Sequence, residues 1–353
     1  MLVSCMIEEL KMRRHFLENN SISTIYFGGG TPSVLSQKEL YDIFNAIGLN
    51  YAIEPDTEIT MEANPDDITL EKLKIWRSCG INRLSIGVQT FNLRSLRFLN
   101  RSHDARQAKT GIKTAKEAGF KNISCDLMFG LPNSSPEEWH NDLREVIKLK
   151  IQHLSVYGLT IEDKTVFGRW LKKGRLPRQN DDSMAHEYEY AVKLLIDSGF
   201  DHYEVSSFSK PGYTSRHNSN YWRQIAYLGI GPGAHSLKMP NRYFNRRNNN
   251  YYIKSILNGV LPCDYEKLNA VQIINEHILT RIRTNIGIST EWINQQLNIN
   301  FSQIKEPILE ECFRNNLLFE EENLLKTTSK GMLLADELTL QLSIDEFQLN
   351  KIQ

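Results

Sequence analysis

The chain has 353 residues, 41% of them hydrophobic, which is enough to bury one large core and a smaller appendage. Lys+Arg and Asp+Glu number 42 each, so no net charge draws the chain as a whole toward nucleic acid or an acidic membrane, and no nucleic-acid partner is expected. No apolar run reaches the length of a bilayer span, and the acidic residues within 1–18 exclude a secretory signal there, so the expected location is cytoplasmic.

Residues 2–16 carry the periodicity of an amphipathic helix with no strand before it. From 23 to 161 one pattern then repeats: a short β-rich run, a turn, and a helical stretch. The runs are 24–27, 58–61, 83–88, 122–128 and 153–157, each apolar or alternating. Helix candidates at 37–47, 70–79, 105–118 and 136–149 separate them, as parallel strands with crossover helices require. The expected fold is α/β, a partial TIM-like (β/α)6 barrel lacking its first strand. A helix at 182–198 and a strand at 200–208 follow. The stretch 211–250 is polar, aromatic and Gly-rich, and its recurring Tyr, Trp and Ile mark it as folded, with the Asn-rich 245–250 read as a loop. Beyond about 267 the pattern becomes helical, with a β-like pair near 317–325, as in a small helical or winged-helix domain. The expected divisions are 1–165, 166–265 and 266–353. Cys5, Cys79, Cys125, Cys263 and Cys312 are too scattered for a disulfide framework and form no C-x-x-C or C-x-x-x-C spacing, so free thiols are expected.

In a βα barrel the working residues sit where strands end. The first run ends in Tyr26-Phe27-Gly28-Gly29-Gly30-Thr31-Pro32, where glycines let a ligand approach the backbone and Thr31 adds a hydroxyl. The second ends at Glu62-Ala63-Asn64-Pro65 and the third at Gln89, with Arg101 one loop-and-helix step on. The fourth contains Asp126 before Gly130-Leu131-Pro132. A lone carboxylate is an ordinary helix cap or surface charge. Polar groups at the ends of four consecutive strands instead suit an amino-acid ammonium, its carboxylate and a ribose diol, with the planar fork of Arg101 matched to the carboxylate.

The Gly-Gly-Gly-Thr-Pro turn followed by Glu62, Gln89, Arg101 and Asp126 resembles the S-adenosylmethionine (SAM) site of the oxygen-independent coproporphyrinogen III oxidase (dehydrogenase) family of radical SAM proteins. The resemblance runs from residue 1 to about 342. It implies that Gly29, Gly30 and Thr31 meet the methionyl end of SAM and that Glu62, Gln89, Arg101 and Asp126 hold its polar groups, with further contacts at Thr160, Ala234 and His235. It also implies a [4Fe–4S] cluster on a strand bearing C-x-x-x-C-x-x-C, and this chain contains neither strand nor motif. The expected explanation is a start at an internal methionine, with a truncated, cluster-less remnant as the alternative; radical SAM cleavage is not expected of the chain as it stands.

The segment His217-Asn218-Ser219-Asn220-Tyr221-Trp222 is similar to an H-N-x-x-Y-W motif that marks a heme-chaperone branch of that family. By that resemblance His217, Tyr221 and Trp222 contact heme, His217 as a candidate iron ligand and the aromatic rings as stacking faces; read without it, the segment is a packed loop. Residues 229–236 form a second Gly-rich loop, either a turn or the border of a ligand pocket with His235 beside it. His103, His140 and His186 are read as solvated. The implied function is heme binding and transfer to acceptor proteins, respiratory ones by expectation, with a homodimer and peripheral membrane attachment compatible with it. The alternative is the coproporphyrinogen III oxidase reaction itself.

Overall fold

The periodicities resolve into regular elements in a computed structural model that describes residues 1–177 and 180–345. In order come α1 (Leu2–Met12), β1 (Ser21–Phe27), α2 (Gln37–Asn50), β2 (Ala52–Ala63), α3 (Leu70–Ser78), β3 (Arg83–Gln89), α4 (Leu93–Phe98), α5 (Ala105–Glu117), β4 (Asn122–Phe129), α6 (Pro136–Lys148) and β5 (His153–Gly158). Capping boxes start α2, α5 and α6: Ser36 with Glu39, Asp104 with Gln107 and Ser135 with Glu138 each exchange side-chain and backbone hydrogen bonds across one turn. The chain continues through α7 (Val166–Lys172), α8 (Asp181–Asp197), β6 (Asp201–Glu204) and β7 (Ser207–Ser209).

Seven strands form one sheet in the order β1-β2-β3-β4-β5-β7-β6, with β2 through β5 parallel and β7 antiparallel to β5. A single strand over 200–208 was the expectation after the five βα units; instead an antiparallel hairpin, β6 with β7, closes the series. The chain reverses at Val205-Ser206, where the Ser206 N–H donates to the Glu204 carboxylate at 3.0 Å and Tyr188 Oη donates to the Val205 carbonyl at 2.8 Å. Both bonds favour a tight turn over continued extension.

By contact density the described chain divides into two compact units, one of 26–34 and 59–214, the other of 1–25, 35–58 and 215 onward, so that β1 and β2 contribute residues to both. In the first unit, alternation along the strands separates two chemistries. Met61, Leu84, Ile86, Ile123, Leu127 and Leu154 are buried on one face, along with Trp76, Ile112 and Leu143 of the helices. The alternate positions carry Thr60, Glu62, Arg83, Ser85, Ser124, Asp126, His153 and Ser155, a polar set that a barrel interior holds only with partners or a ligand.

The second unit contains α1 and α2, then α9 (Arg216–Trp222), β8 (His235–Lys238), β9 (Asn241–Asn245), α10 (Asn249–Leu257) and β10 (Cys263–Lys267), the three strands pairing as β10-β9-β8. The expected loop over the Asn-rich run 245–250 is confined to 246–248. Asn245 ends β9, and the Asn248 side chain accepts from Tyr251 N–H at 2.9 Å and so starts α10. Glu9 of α1 is fully buried and accepts from Gly231 N at 2.8 Å, Asn245 Nδ2 at 2.7 Å and Tyr252 Oη at 2.6 Å, with Arg13 at 3.4 Å. That carboxylate ties α1 to the loop 229–236. The chain ends in α11 (Ala270–Arg281), β11 (Ile288–Ser289), α12 (Thr290–Leu297), α13 (Phe301–Ile304), α14 (Glu306–Arg314), β12 (Leu318–Glu321), β13 (Leu324–Thr327), α15 (Ser329–Leu333) and α16 (Ala335–Leu342). These surround a core of Ile274, Ile278, Ile293, Phe301 and Leu338 with an antiparallel sheet β11-β13-β12, the elements of a winged helix.

Candidate functional site

At the end of β1 the chain makes its glycine turn against β2. Tyr26 Oη donates to Glu62 Oε1 at 2.6 Å and Gly29 N donates to Glu62 Oε2 at 3.1 Å, so one carboxylate anchors the strand end and the loop together. Burial and then the Glu62 charge raise the Tyr26 phenol well above its ordinary value, which keeps it a neutral donor. A Cβ at Gly28 would stand 2.5 Å from the Tyr26 ring and 2.9 Å from Glu62 Oε1, so a side chain there would displace the hydrogen-bonded pair. Gly29 adopts φ +94°, open to glycine, and a Cβ at Gly29 or Gly30 would meet nothing within 4 Å. The loop therefore faces open space with its backbone exposed, as a ligand cradle must. Ser33 pins its far end by donating to Asp67 at 2.7 Å, and exposed Thr31 lies between.

Gln89 ends β3 in a left-handed conformation at φ 66°, a backbone state that costs about 1 kcal/mol or more for a residue with a Cβ. Arg101 follows α4 and donates through Nη2 to Asn64 Oδ1 at 2.7 Å and to the Gly87 carbonyl at 3.0 Å. A Cβ on Gly87 would lie 3.0 Å from Gln89 Nε2 and 3.2 Å from Arg101 Nη2, so this glycine makes room for both predicted groups. Sequence reasoning missed Gly87, although a glycine inside a strand is a signal of close approach. Asp142 holds the segment after Gln89 by accepting from Thr90 Oγ1 at 2.5 Å and Phe91 N at 2.8 Å.

Asp126 lies deeper, inside β4, with the Ser85 hydroxyl 3.3 and 3.4 Å from its two oxygens. Burial pushes its carboxyl up to about 6, with the Glu62 charge adding to the rise and Ser155 and Arg83 opposing it. Arg83 is buried and its Nε has no hydrogen-bond partner, as have none the Oγ1 of Thr60 and the Oδ1 of Asn122, the residues paired with it in register. Unsatisfied polar atoms in one layer fit an interior that completes its bonds with ligand or water. The glycine turn, Glu62 and Gln89 thus lie at or next to the ends of consecutive strands of one unit, with Arg101 beyond α4 and Asp126 inside β4, and with Tyr26, Asn64, Ser85 and Gly87 as supports. Thr160 is exposed two residues beyond β5. Ala234 and His235 belong to the other compact unit, where Asn245 N donates to the Ala234 carbonyl at 2.8 Å and His235 opens β8 with its ring exposed. His186 is exposed as expected, and His140 is half-buried, stacked on Tyr190. His103 is not solvated: it is buried, its Nε2 lies 3.1 Å from the Val88 carbonyl, and burial lowers its pKa.

The second motif forms a short helix rather than a loop. Ser215 caps α9, and buried Glu58 of β2 accepts from Arg216 N at 3.0 Å and His217 N at 2.9 Å. The His217 ring is held at both nitrogens: Nδ1 is 3.0 Å from Thr24 Oγ1 on β1, and Nε2 is 2.9 Å from Tyr221 Oη one turn on. Tyr221 packs edge-on to His217 and to Tyr227, and Trp222 is half-buried. Glu58 and Thr24 were not among the predicted residues. Their signal was the alternation that puts Glu58 two and four positions before Thr60 and Glu62. Replacing Glu58 with alanine strips two helix N–H groups of their acceptor, and a loss of about 1–3 kcal/mol in urea unfolding is expected, less for Glu58→Gln, which keeps one oxygen. Equal midpoints for all three proteins would show that Glu58 does not hold α9.

A family model described as the Radical SAM superfamily matches residues 7–146. The heme chaperone HemW of Lactococcus lactis is 33% identical over 98% of this chain and 90% of its own length. That of Bacillus subtilis is 34% identical over 90% and 84%. Among solved structures, the coproporphyrinogen III oxidase HemN of Escherichia coli, a radical SAM enzyme, covers 97% of this chain with 82% of its own, at a TM-score of 0.81 and 24% identity, a likeness of fold. A radical SAM fold, the glycine turn with its strand-end polar set, and identity above 30% along nearly the whole length of such relatives have one common explanation: the chain belongs to the HemW family of radical SAM proteins.

Proposed function

We propose that this protein binds heme and passes it to acceptor proteins, with α9 as the heme contact and the strand-end cluster of the barrel as a SAM site. The observation that carries the reading is the geometry of α9. An imidazole is held at both ring nitrogens beside a partly exposed phenol and a half-buried indole, which supplies an axial ligand and stacking faces for a porphyrin. The relatives named heme chaperones align over this segment's whole chain context, whereas the coproporphyrinogen oxidase is supported by fold alone. In this reading Gly29, Gly30 and Thr31 receive the methionyl end of SAM, Glu62 its ammonium, and Arg101 its carboxylate, with Gln89 and Asp126 on its remaining polar groups. We place the protein in the cytoplasm, with respiratory heme proteins as acceptors and with dimer formation and peripheral membrane contact as secondary expectations. No helix among the described residues is long and apolar enough to cross a membrane.

Among the described residues no three His, Cys, Asp or Glu side chains are placed to hold a metal ion, and the five cysteines are free thiols. These residues do not fit a [4Fe–4S] cluster. Anaerobic reconstitution of the 353-residue chain with iron and sulfide is expected to leave its visible spectrum without stoichiometric cluster absorbance; one cluster per chain would contradict this assignment.

The reading is tested by titrating the purified chain with heme, then presenting it with apo-acceptor heme proteins and, separately, with coproporphyrinogen III. Saturable one-to-one binding followed by transfer, with the coproporphyrinogen unchanged, is the expected result. Absence of heme binding would overturn it.

A further inference from the structure

The two hydrogen bonds on the His217 ring are unequal in kind. Thr24 Oγ1 belongs to a β-branched side chain on β1, stiff about χ1 and half-buried, 3.0 Å from Nδ1. Tyr221 Oη, 2.9 Å from Nε2, ends a long side chain that is 41% exposed and lies on the same short helix as the ring it touches. One partner is fixed by the sheet. The other can turn into solvent and take a water in exchange.

We propose that iron, when heme binds, is ligated by Nε2 of His217, that Thr24 is a positioning residue which holds Nδ1–H, and that the Tyr221 hydroxyl is a displaceable cap which occupies Nε2 until iron replaces it. The proposal rests on the heme-binding reading of α9. It selects one tautomer: Nδ1–H donates to Thr24 Oγ1, and Tyr221 O–H donates to Nε2. That tautomer already presents the lone pair that iron needs, so ligation moves no proton. It breaks one O–H···N bond, forms one Fe–N bond, and leaves Nδ1–H on its acceptor. A metal-ligating histidine ordinarily has its other nitrogen fixed in this way, which sets ring orientation and basicity. The cap lowers affinity for heme in proportion to the bond that must break, and it returns when heme leaves. A carrier that must release its cargo gains from such a competitor on the ligand itself.

The test is heme titration of the full-length chain, with the Soret band and low-temperature electron paramagnetic resonance as readouts, for the unsubstituted chain, Tyr221→Phe, Thr24→Val, Thr24→Ser and His217→Ala. Tyr221→Phe keeps the ring and removes only the competing hydroxyl, so heme should bind about 2- to 12-fold tighter with its spectrum unchanged. Thr24→Val keeps shape and removes the acceptor, and affinity should fall about 10-fold or more with a broadened ligand-field signature, while Thr24→Ser restores both. A spectrum indifferent to His217→Ala would refute the heme reading itself. If that spectrum is lost in His217→Ala but Tyr221→Phe binds heme equally or more weakly, the reading stands and the cap is wrong. If Thr24→Val binds with unchanged affinity and signature, Thr24 does not position the ring.

Discussion

Replacing His217 with alanine is expected to abolish the imidazole-ligated Soret band of the heme-loaded chain while leaving the fold in place. The side chain hydrogen-bonds to Thr24 and to Tyr221, and the loss of these two bonds costs about 1–3 kcal/mol at the usual net value of each. The clamp on the helix survives, because Glu58 accepts from the backbone N–H of residue 217 and not from its ring. Neither Asn218 nor Tyr221 reproduces an imidazole ligand field, so the band should shift or vanish rather than weaken. Trp222→Ala supplies the contrast. An indole stacked on the macrocycle contributes about 1 kcal/mol of attraction beyond its buried area but no bond to iron, so affinity falls and the band stays where it was. Circular dichroism should overlay for all three proteins. An unmoved band in His217→Ala, or a moved one in Trp222→Ala, would reverse the roles assigned to these rings.

Asp126→Asn should stabilise the protein at neutral pH and cost it SAM. The carboxyl rises from its ordinary 3.8 to about 6, chiefly by burial. In the native state it therefore keeps its proton through a window in which the unfolded chain has lost it. Stability falls as pH rises from about 4 to about 6, and above that the native protein carries the full cost of a buried carboxylate, about 3 kcal/mol at 1.36 kcal/mol per unit of pKa. Asparagine has a similar shape and no charge to bury. Urea unfolding should show the variant more stable by up to about 3 kcal/mol at pH 7.5, by less at pH 5.5, and by almost nothing below pH 4. Asp142, also raised to about 6 by burial, imposes the same slope on both proteins and drops out of the difference. Calorimetric titration with SAM should move the other way, with a loss of about 2 kcal/mol or more if the carboxylate meets a polar group of the ligand. A gain independent of pH would mean that burial of charge is not its cause. Unchanged SAM affinity would make Asp126 a structural residue.

A polar residue at a position where burial costs it is the kind of feature that a sequence shows by itself. Alternation with period two located β1 to β5 to within a few residues, except that β2 starts earlier than its apolar run, and the capping pairs Ser36 with Glu39 and Ser135 with Glu138, which the reading of the sequence did not use, start two of the helices it placed. Side-chain chemistry near the strand ends made Gly29, Glu62, Gln89, Arg101 and Asp126 candidates, because a polar group where a barrel points inward needs a partner or a ligand. These are local properties: each follows from a residue and its immediate neighbours. Tertiary structure alone decided the rest. The turn at Val205-Ser206 depends on Tyr188, and the run of asparagines became a helix start through a bond from Asn248 to the backbone of Tyr251. His103, polar in its own segment, is buried by the loop that brings it to Val88. The partners of His217 come from Thr24 and Glu58, which precede it in the chain by 193 and 159 residues. A pattern read along the chain carries the chemistry of a residue and the period of its element. Which distant atom completes its hydrogen bonds is set only when the strands have paired, since burial forces each polar group to find a partner and folding determines which one is within reach.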